Sequence, residues 1–297
     1  MSGDTKASLH TFVPWWAKIA AKVTLARLPV PMRAWHRIGL FAPGFMRDPD
    51  YAIRVFETHW KRAGAPGSGF TYLELGPGES LATAVVAWAF GAGGGVLVDA
   101  GDFAVRDIAA YRPLLARLAE RPGMRDLRSL QACGSVDALL AAVNARVRTD
   151  GLRGLASLAS DSVDLAFSQA VLEHVPLAEF AATARELHRI QRPSGIASHR
   201  IDFKDHLQAS LNNLRFAQPS WERPWFARRS GFYTNRLRFS EIKAAFENAG
   251  FWVSVLAQDR WDAIPLPRES FAAEFRALSD DDLRTSGADI LLTKTSQ

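Results

Sequence analysis

The chain has 297 residues, 48% hydrophobic and 23% charged, with nine Trp and 18 Phe, enough to bury a large core in one sizeable domain with an appendage. Its single cysteine, Cys133, excludes an internal disulfide and any multi-cysteine zinc site, which fits a reducing compartment. The net charge of +5 suits an anionic partner, yet no run approaches the roughly 18 apolar residues of a membrane span, so a cytoplasmic protein is expected.

The positive charge is local. Between Thr5 and Arg47 there is no acidic residue, while Lys6, Lys18, Lys22, Arg27, Arg33, Arg37 and Arg47 are basic. From Pro14 to about Lys61 the pattern is of short helices broken at Pro29, Pro31 and Pro43, with Trp15, Trp16, Trp35, Phe41, Phe45 and Tyr51 as apolar faces. Two readings stand: a helical cap packed on the main domain, or an interfacial helix touching anionic lipid through residues 14–47. The Gly/Pro/Ser linker from Ala63 to Gly69 then marks a change in composition. It divides a basic cap, residues 1–66, from a larger domain, residues 67–297.

Beyond the linker, strands and helices alternate. Phe70–Leu75 reads as a strand, Ser80–Phe90 as an apolar helix, and Val96–Val98 as a second strand ending in Asp99. Helices are expected through Leu118 and over Val136–Val147, then a strand over Val163–Phe167. The next helix starts near Pro176 and keeps Phe180, Ala184, Leu187 and Ile190 on one face. "RPSG" turns the chain into a strand from Ile196, and Ser240 caps a later helix ending at Gly250. This alternation predicts an α/β fold, Rossmann-like and doubly wound, with a mostly parallel sheet covered by helices on both faces.

The stretch "YLELGPGES" puts a glycine-rich turn between the first strand and its helix, where amides at a helix N-terminus favour a negative group. A dinucleotide fingerprint needs a third glycine where Leu81 stands, and a phosphate loop needs a Gly-Lys-Ser/Thr that this chain lacks. Asp99 lies 21 residues beyond Gly78 at the tip of the next strand, where a carboxylate can hold ribose hydroxyls. Glu74 adds a second carboxylate, suited to a positively charged cofactor. A ribose and a cation together point to S-adenosylmethionine.

At these residues the sequence resembles the class I S-adenosylmethionine-dependent methyltransferases. "ELGPGES" is similar to their first motif, "VLVDA" to their second, "DSVDLAFSQAVLEHV" to their fourth strand and the helix after it, and "ELHRIQRPSG" to the lead into their fifth. "ENAGFWVSVL" and "ADILLTK" would supply the last two strands of a seven-stranded sheet, an antiparallel pair. The resemblance implies that Glu74, Gly76 and Gly78 bind the methionine part, Asp99 the ribose, Gly151 and Leu152 of "TDGL" the adenine edge, and Ser168 the sulfonium surroundings. The third strand is the weakest match, because no apolar run stands between Arg125 and Arg153.

Missing motifs narrow the acceptor. "SQAV" after the fourth strand is not the Asn/Asp-Pro-Pro-aromatic motif of nucleic-acid amine methylation, and no Pro-Cys nucleophile is there. His174 in "LEHV" reads as a packing or hydrogen-bonding histidine and not a base. "SHRIDFKDH", Ser198–His206, offers His199 or His206 with Asp202 or Asp205 as the base for a hydroxyl acceptor, and equally a divalent-metal set, although no metal is expected. Two insertions are expected further along, at about 204–239 and 259–287. The first carries Trp221, Tyr233, Asn235 and Arg236 as acceptor contacts, aromatic faces for a sugar ring and Arg for an anion, or else packs on its own aromatics. The expected activity is O-methylation of a small-molecule or glycan hydroxyl. Methylation of RNA or protein, or an inactive domain binding a lipid surface, are the alternatives; no specific nucleic-acid partner is expected.

Overall fold

A computed structural model describes residues 48–229 and 233–295. The basic segment 14–47, and with it the lipid-contact reading, lies outside the described residues.

The first described helix, α1 (Pro49–Arg62), starts on Asp48, whose side chain accepts the Asp50 amide, and buries Ala52, Ile53, Val55, Phe56 and His59. The strands are β1 (Thr71–Leu75), β2 (Gly94–Val98), β3 (Ala145–Arg148), β4 (Val163–Gln169), β5 (Gln191–Asp202), β6 (Phe251–Arg260) and β7 (Thr285–Lys294). They form one sheet in the order β3-β2-β1-β4-β5-β7-β6. Pairing is parallel from β3 to β5, while β7 runs antiparallel to both β5 and β6. The order reverses between β1 and β4, and at such a switch point the loops diverge and leave a crevice.

Strand periodicity sorts the side chains into two layers. Tyr72, Leu97, Leu165 and Phe167 join Phe56 of α1 and the apolar faces of α2 (Ala82–Ala89), α3 (Arg112–Ala119) and α4 (Val136–Ala142). Leu73, Leu75, Val98 and Ala166 pack on the other side with α5 (Leu152–Ala156), α6 (Leu177–Ile190) and α7 (Phe239–Asn248). Phe180, Ala184, Leu187 and Ile190 share the buried face of α6, as the periodicity predicts.

Three local expectations change. The helix expected over Val136–Val147 stops after Ala142, Asn144 turns at φ 51°, and Ala145–Arg148 is the third strand. As an edge strand it buries Ala145 while Arg146 and Arg148 face solvent, so no apolar run is required. "RPSG" is a bulge inside β5: pairing with β4 jumps from Gln191 to Ile196, and the Gln191 side chain donates to Gly195 O at 2.7 Å. Ser240 lies inside α7, donating its amide and hydroxyl to Asp282, and Glu241 accepts the Arg238 amide at the helix start. No described helix is long and apolar enough to cross a membrane.

Candidate active site

At the tips of β1, β2 and β4, on the side of α5 and α6, lies a cleft of about 430 Å³, within the range of small-ligand sites. Its floor is Leu75, Gly76, Val98 and Asp99, and its walls include Thr149–Arg153 and Val171–Pro176 without Leu172 and Glu173. Leu75, Val98, Leu155, Val171 and Pro176 make it apolar, with Asp99, Asp150 and Glu179 at its polar edges.

The glycine turn is pinned to the neighbouring strand. Gly76 donates to Val98 O at 2.8 Å, and Gly78 donates to Asp99 Oδ2 at 2.8 Å, while Ala100 donates to Asp99 Oδ1 at 2.7 Å. Gly76 has φ 66°, and a Cβ there would stand 2.5 Å from the Val171 side chain, so only glycine allows the turn after β1 and the loop after β4 to meet. Burial raises the Asp99 carboxyl above its usual value, against the amides of Gly78, Ala100 and Gly101. The two Asp99 oxygens together face three main-chain amides and still keep acceptor capacity for a hydroxyl. Gly151 donates to the Asp99 main-chain O at 2.9 Å, which brings "TDGL" to the same strand tip.

These features fit S-adenosylmethionine: apolar walls for a ring, a carboxylate at a strand tip for two hydroxyls, and a glycine turn beside them. Gly76, Asp99, Gly151 and Leu152 line the cleft, and Gly78 is bonded to Asp99. Glu74 lies below the turn, buried, accepting the Thr83 hydroxyl of α2. Burial pushes its carboxyl up to about 8, opposed by the Thr83 hydrogen bond and reinforced by the Asp99 charge. Ser168 is also fully buried, with Oγ 2.7 Å from His199 Nδ1, so its side chain does not reach the cleft.

The expected His–Asp base does not assemble. His199 is three residues inside β5 and fully buried, stacked on Phe246 at 5.9 Å, and burial pushes its imidazole down to about 3. Asp202 accepts the Lys204 amide, and Asp205 accepts the amides of Leu207, Gln208 and Asn212 in a turn. His206 stacks on His174, with ring centroids 4.9 Å apart and Nε2 atoms 3.1 Å apart. His174, read from the sequence as packing or hydrogen-bonding, lines the cleft, and its Nδ1 donates to Tyr233 O at 2.9 Å. Its Nε2 therefore accepts from His206 Nε2–H, an assignment that comes from the hydrogen-bond network. Removal from water and the neighbouring imidazole of His206 both lower the His174 pKa.

The aromatic and arginine segment is bonded to itself. Trp221 is buried and donates Nε1–H to Thr234 O at 2.7 Å. Arg236 is buried between the rings of Trp221 and Phe275, at 5.0 and 4.7 Å, and donates to Asn213 O, Phe216 O and Gln218. The Asn235 amide side chain donates to Leu172 O and Val175 O at 2.8 and 3.0 Å, and Tyr233 Oη accepts the Leu177 amide and donates to Glu222. Three of the four, Trp221, Asn235 and Arg236, are thus buried with internal partners, and Asn235 and Tyr233 brace the loop after β4. Among the described residues no three His, Cys, Asp or Glu side chains converge as a metal-ligand set.

Residues 128–198, less than half of the chain, match the family model described as "Methyltransferase domain". No curated protein sequence matches significantly. Among solved structures, the chain is similar to an S-adenosylmethionine-dependent methyltransferase from Mesorhizobium loti, at 16% identity over 79% of this chain and 96% of that one, with a TM-score of 0.40. It is also similar to a Haemonchus contortus phosphoethanolamine N-methyltransferase, at 12% identity over 82% of this chain and 53% of that one, with a TM-score of 0.45. The family match, across α4 to β5, thus lies within a Rossmann-like seven-stranded sheet whose β7 is antiparallel.

Proposed function

We propose that the protein binds S-adenosylmethionine in the 430 Å³ cleft and methylates a small-molecule acceptor that enters over the tips of β4 and β5. The observation that carries this reading is the Gly78–Asp99 clasp, which fixes the glycine turn and aims a carboxylate with spare acceptor capacity into an apolar cleft. When bound, the cofactor supplies an electrophilic methyl group.

The residues of the chain hold, orient and take a proton. Asp99 would grip the ribose, Val98, Leu155 and Val171 would flank the adenine, and the loop after β4 would set the acceptor beside the methyl group. Most of the rate would come from that alignment. His206, stacked on His174 at the edge of the cleft, is the base in this reading. The hydroxyl acceptor read from the sequence leaned on His199 or His206 with Asp202 or Asp205 and on aromatic faces; of these only His206 stays in the reading, since His199, Asp202, Asp205 and Trp221 have other partners, so the acceptor is taken here as a small-molecule nucleophile, oxygen or nitrogen.

Calorimetric titration with S-adenosylmethionine and S-adenosylhomocysteine tests the cofactor. One-to-one binding of both is expected, and the absence of heat with either, in protein shown to be folded, would end the proposal.

A further inference from the structure

Glu173 is the one residue of the loop after β4 with a chemically capable side chain that nothing else uses. It lies between the tips of β4 and β5, where an open α/β sheet receives ligands. It is 96% buried, being 4% exposed, and neither carboxylate oxygen has a hydrogen-bond partner. The groups facing it are the amides of Glu173 and Asp202, the Asp202 carboxylate and the Arg200 guanidinium. None neutralises it: Asp202 is a like charge, and Arg200 is engaged by Asp259 and by Asp289 at 3.3 Å. The loop is meanwhile held rigid by Asn235, whose main-chain amide donates to Glu173 O at 2.7 Å and whose side chain spans Leu172 O and Val175 O.

A buried carboxyl left without partners costs about 1–3 kcal/mol or more, and a fold gains nothing by keeping it. Such a group is explained when a donor from outside completes it. Beside Asp202, the donor of choice is a cation that carries N–H groups. We infer that Glu173 is an acceptor-binding residue and that the methyl acceptor is an amine, whose ammonium docks on the Glu173 carboxylate.

The inference rests on the methyltransferase reading above and narrows its acceptor to nitrogen; Glu173 takes the proton that frees the lone pair, and His206 the one that the cationic methylated nitrogen then releases. The chemistry of the pair is self-consistent. An ammonium carries no lone pair, and passing one N–H proton to the carboxylate yields a neutral amine and a neutral carboxylic acid, with total charge unchanged. Burial pushes the Glu173 carboxyl up to about 8, with Asp202 adding to the effect, so it can hold that proton near neutral pH. An alcohol of the same shape offers one O–H and no charge to match the site.

The test uses full-length protein, S-adenosylhomocysteine and methylammonium chloride as the probe, with methanol and potassium chloride as controls, and compares wild type with Glu173→Gln. Binding of S-adenosylhomocysteine by wild type establishes the underlying reading separately. The inference expects Glu173→Gln to keep that affinity and to melt at or above the wild-type temperature, because a carboxyl kept for a ligand is removed. It expects methylammonium, with S-adenosylhomocysteine present, to raise the wild-type Tm saturably, and to bind Glu173→Gln roughly tenfold more weakly or worse. A lower Tm for Glu173→Gln would make the carboxyl structural. A tenfold loss of S-adenosylhomocysteine affinity would assign it to the ammonium of the cofactor. Equal response of both proteins to methylammonium, or no response in either, would remove the amine acceptor.

Discussion

Gly76 and Val171 meet so closely that a single hydrogen separates two loops: a methyl group on Gly76 would stand 2.5 Å from Val171 Cγ2 and 2.6 Å from Cγ1. The contact joins the turn after β1 to the loop after β4, two segments that frame the cleft from neighbouring strands. Gly76→Ala meets two obstacles, a left-handed backbone at φ 66° costing about 1–2 kcal/mol and an overpacked contact costing about 1–3 kcal/mol more. Gly76→Ala/Val171→Ala should recover the second part and not the first. Thermal melts of both variants check this; full rescue by Val171→Ala would show that the backbone turn is not strained.

The buried imidazoles should make the fold acid-sensitive in a residue-specific way. His59 is held between Ser198 Oγ at 2.8 Å and Gln169 Oε1 at 3.1 Å, and burial pushes its pKa down to about 4 from an ordinary 6.5. Because the unfolded chain binds this proton first, the stability from neutral His59 is present above pH 6.5 and is lost as the pH falls from 6.5 towards 4. His59→Gln should be less stable than wild type at pH 7.5, and the gap should close as the pH is lowered to 5. A gap that stays constant would mean His59 is not neutral in the fold.

Asn235 is predicted to act as a brace. Its side chain makes three hydrogen bonds, two donated to Leu172 O and Val175 O and one accepted from the Leu237 amide at 3.1 Å. Asn235→Ala should cost about 2–3 kcal/mol, and Asn235→Asp more, because a carboxylate would face two carbonyl oxygens. Melting temperatures ranked wild type, Ala, Asp from high to low support the brace; an Asp variant as stable as wild type contradicts it.

His206 is predicted to serve turnover and not cofactor binding. Loss of a general base lowers the rate roughly 10²-fold or more. His206→Ala should show that loss in kcat with the Kd for S-adenosylmethionine unchanged. Unaltered kcat at every pH would show that the stacked imidazole pair moves no proton in the reaction.

Much of this architecture is legible from residue order, and the exceptions have physical causes. β1, β2, β4 and α6 announce themselves because central parallel strands are apolar on both faces and an amphipathic helix repeats every 3.6 residues. β3 does not, because an edge strand needs one buried residue, Ala145, and tolerates Arg146 and Arg148 outward. The residues proposed for the cofactor, Gly76, Gly78, Asp99, Gly151 and Leu152, can be picked out from a turn and a strand tip, both local features. The acceptor side is not, because it depends on where β5 ends. The strand continues to Asp202, so His199 is inside the sheet, and alternation sends it to the buried face that carries Phe246, opposite the face on which Ser198 meets His59. Glu173 and His174 are hidden in a short loop whose meaning depends on Tyr233 and Asn235, about 60 residues away.

The central claim is that Asp99 both clasps Gly78 and receives the ribose of S-adenosylmethionine, and calorimetric titration of wild type, Asp99→Asn and Asp99→Ala tests it most directly. Charged hydrogen bonds of this kind contribute about 1.5–3 kcal/mol, so the affinity should fall roughly tenfold to a hundredfold in Asp99→Ala, in protein whose melting still shows a cooperative fold. Equal affinity in wild type and Asp99→Ala would contradict the account.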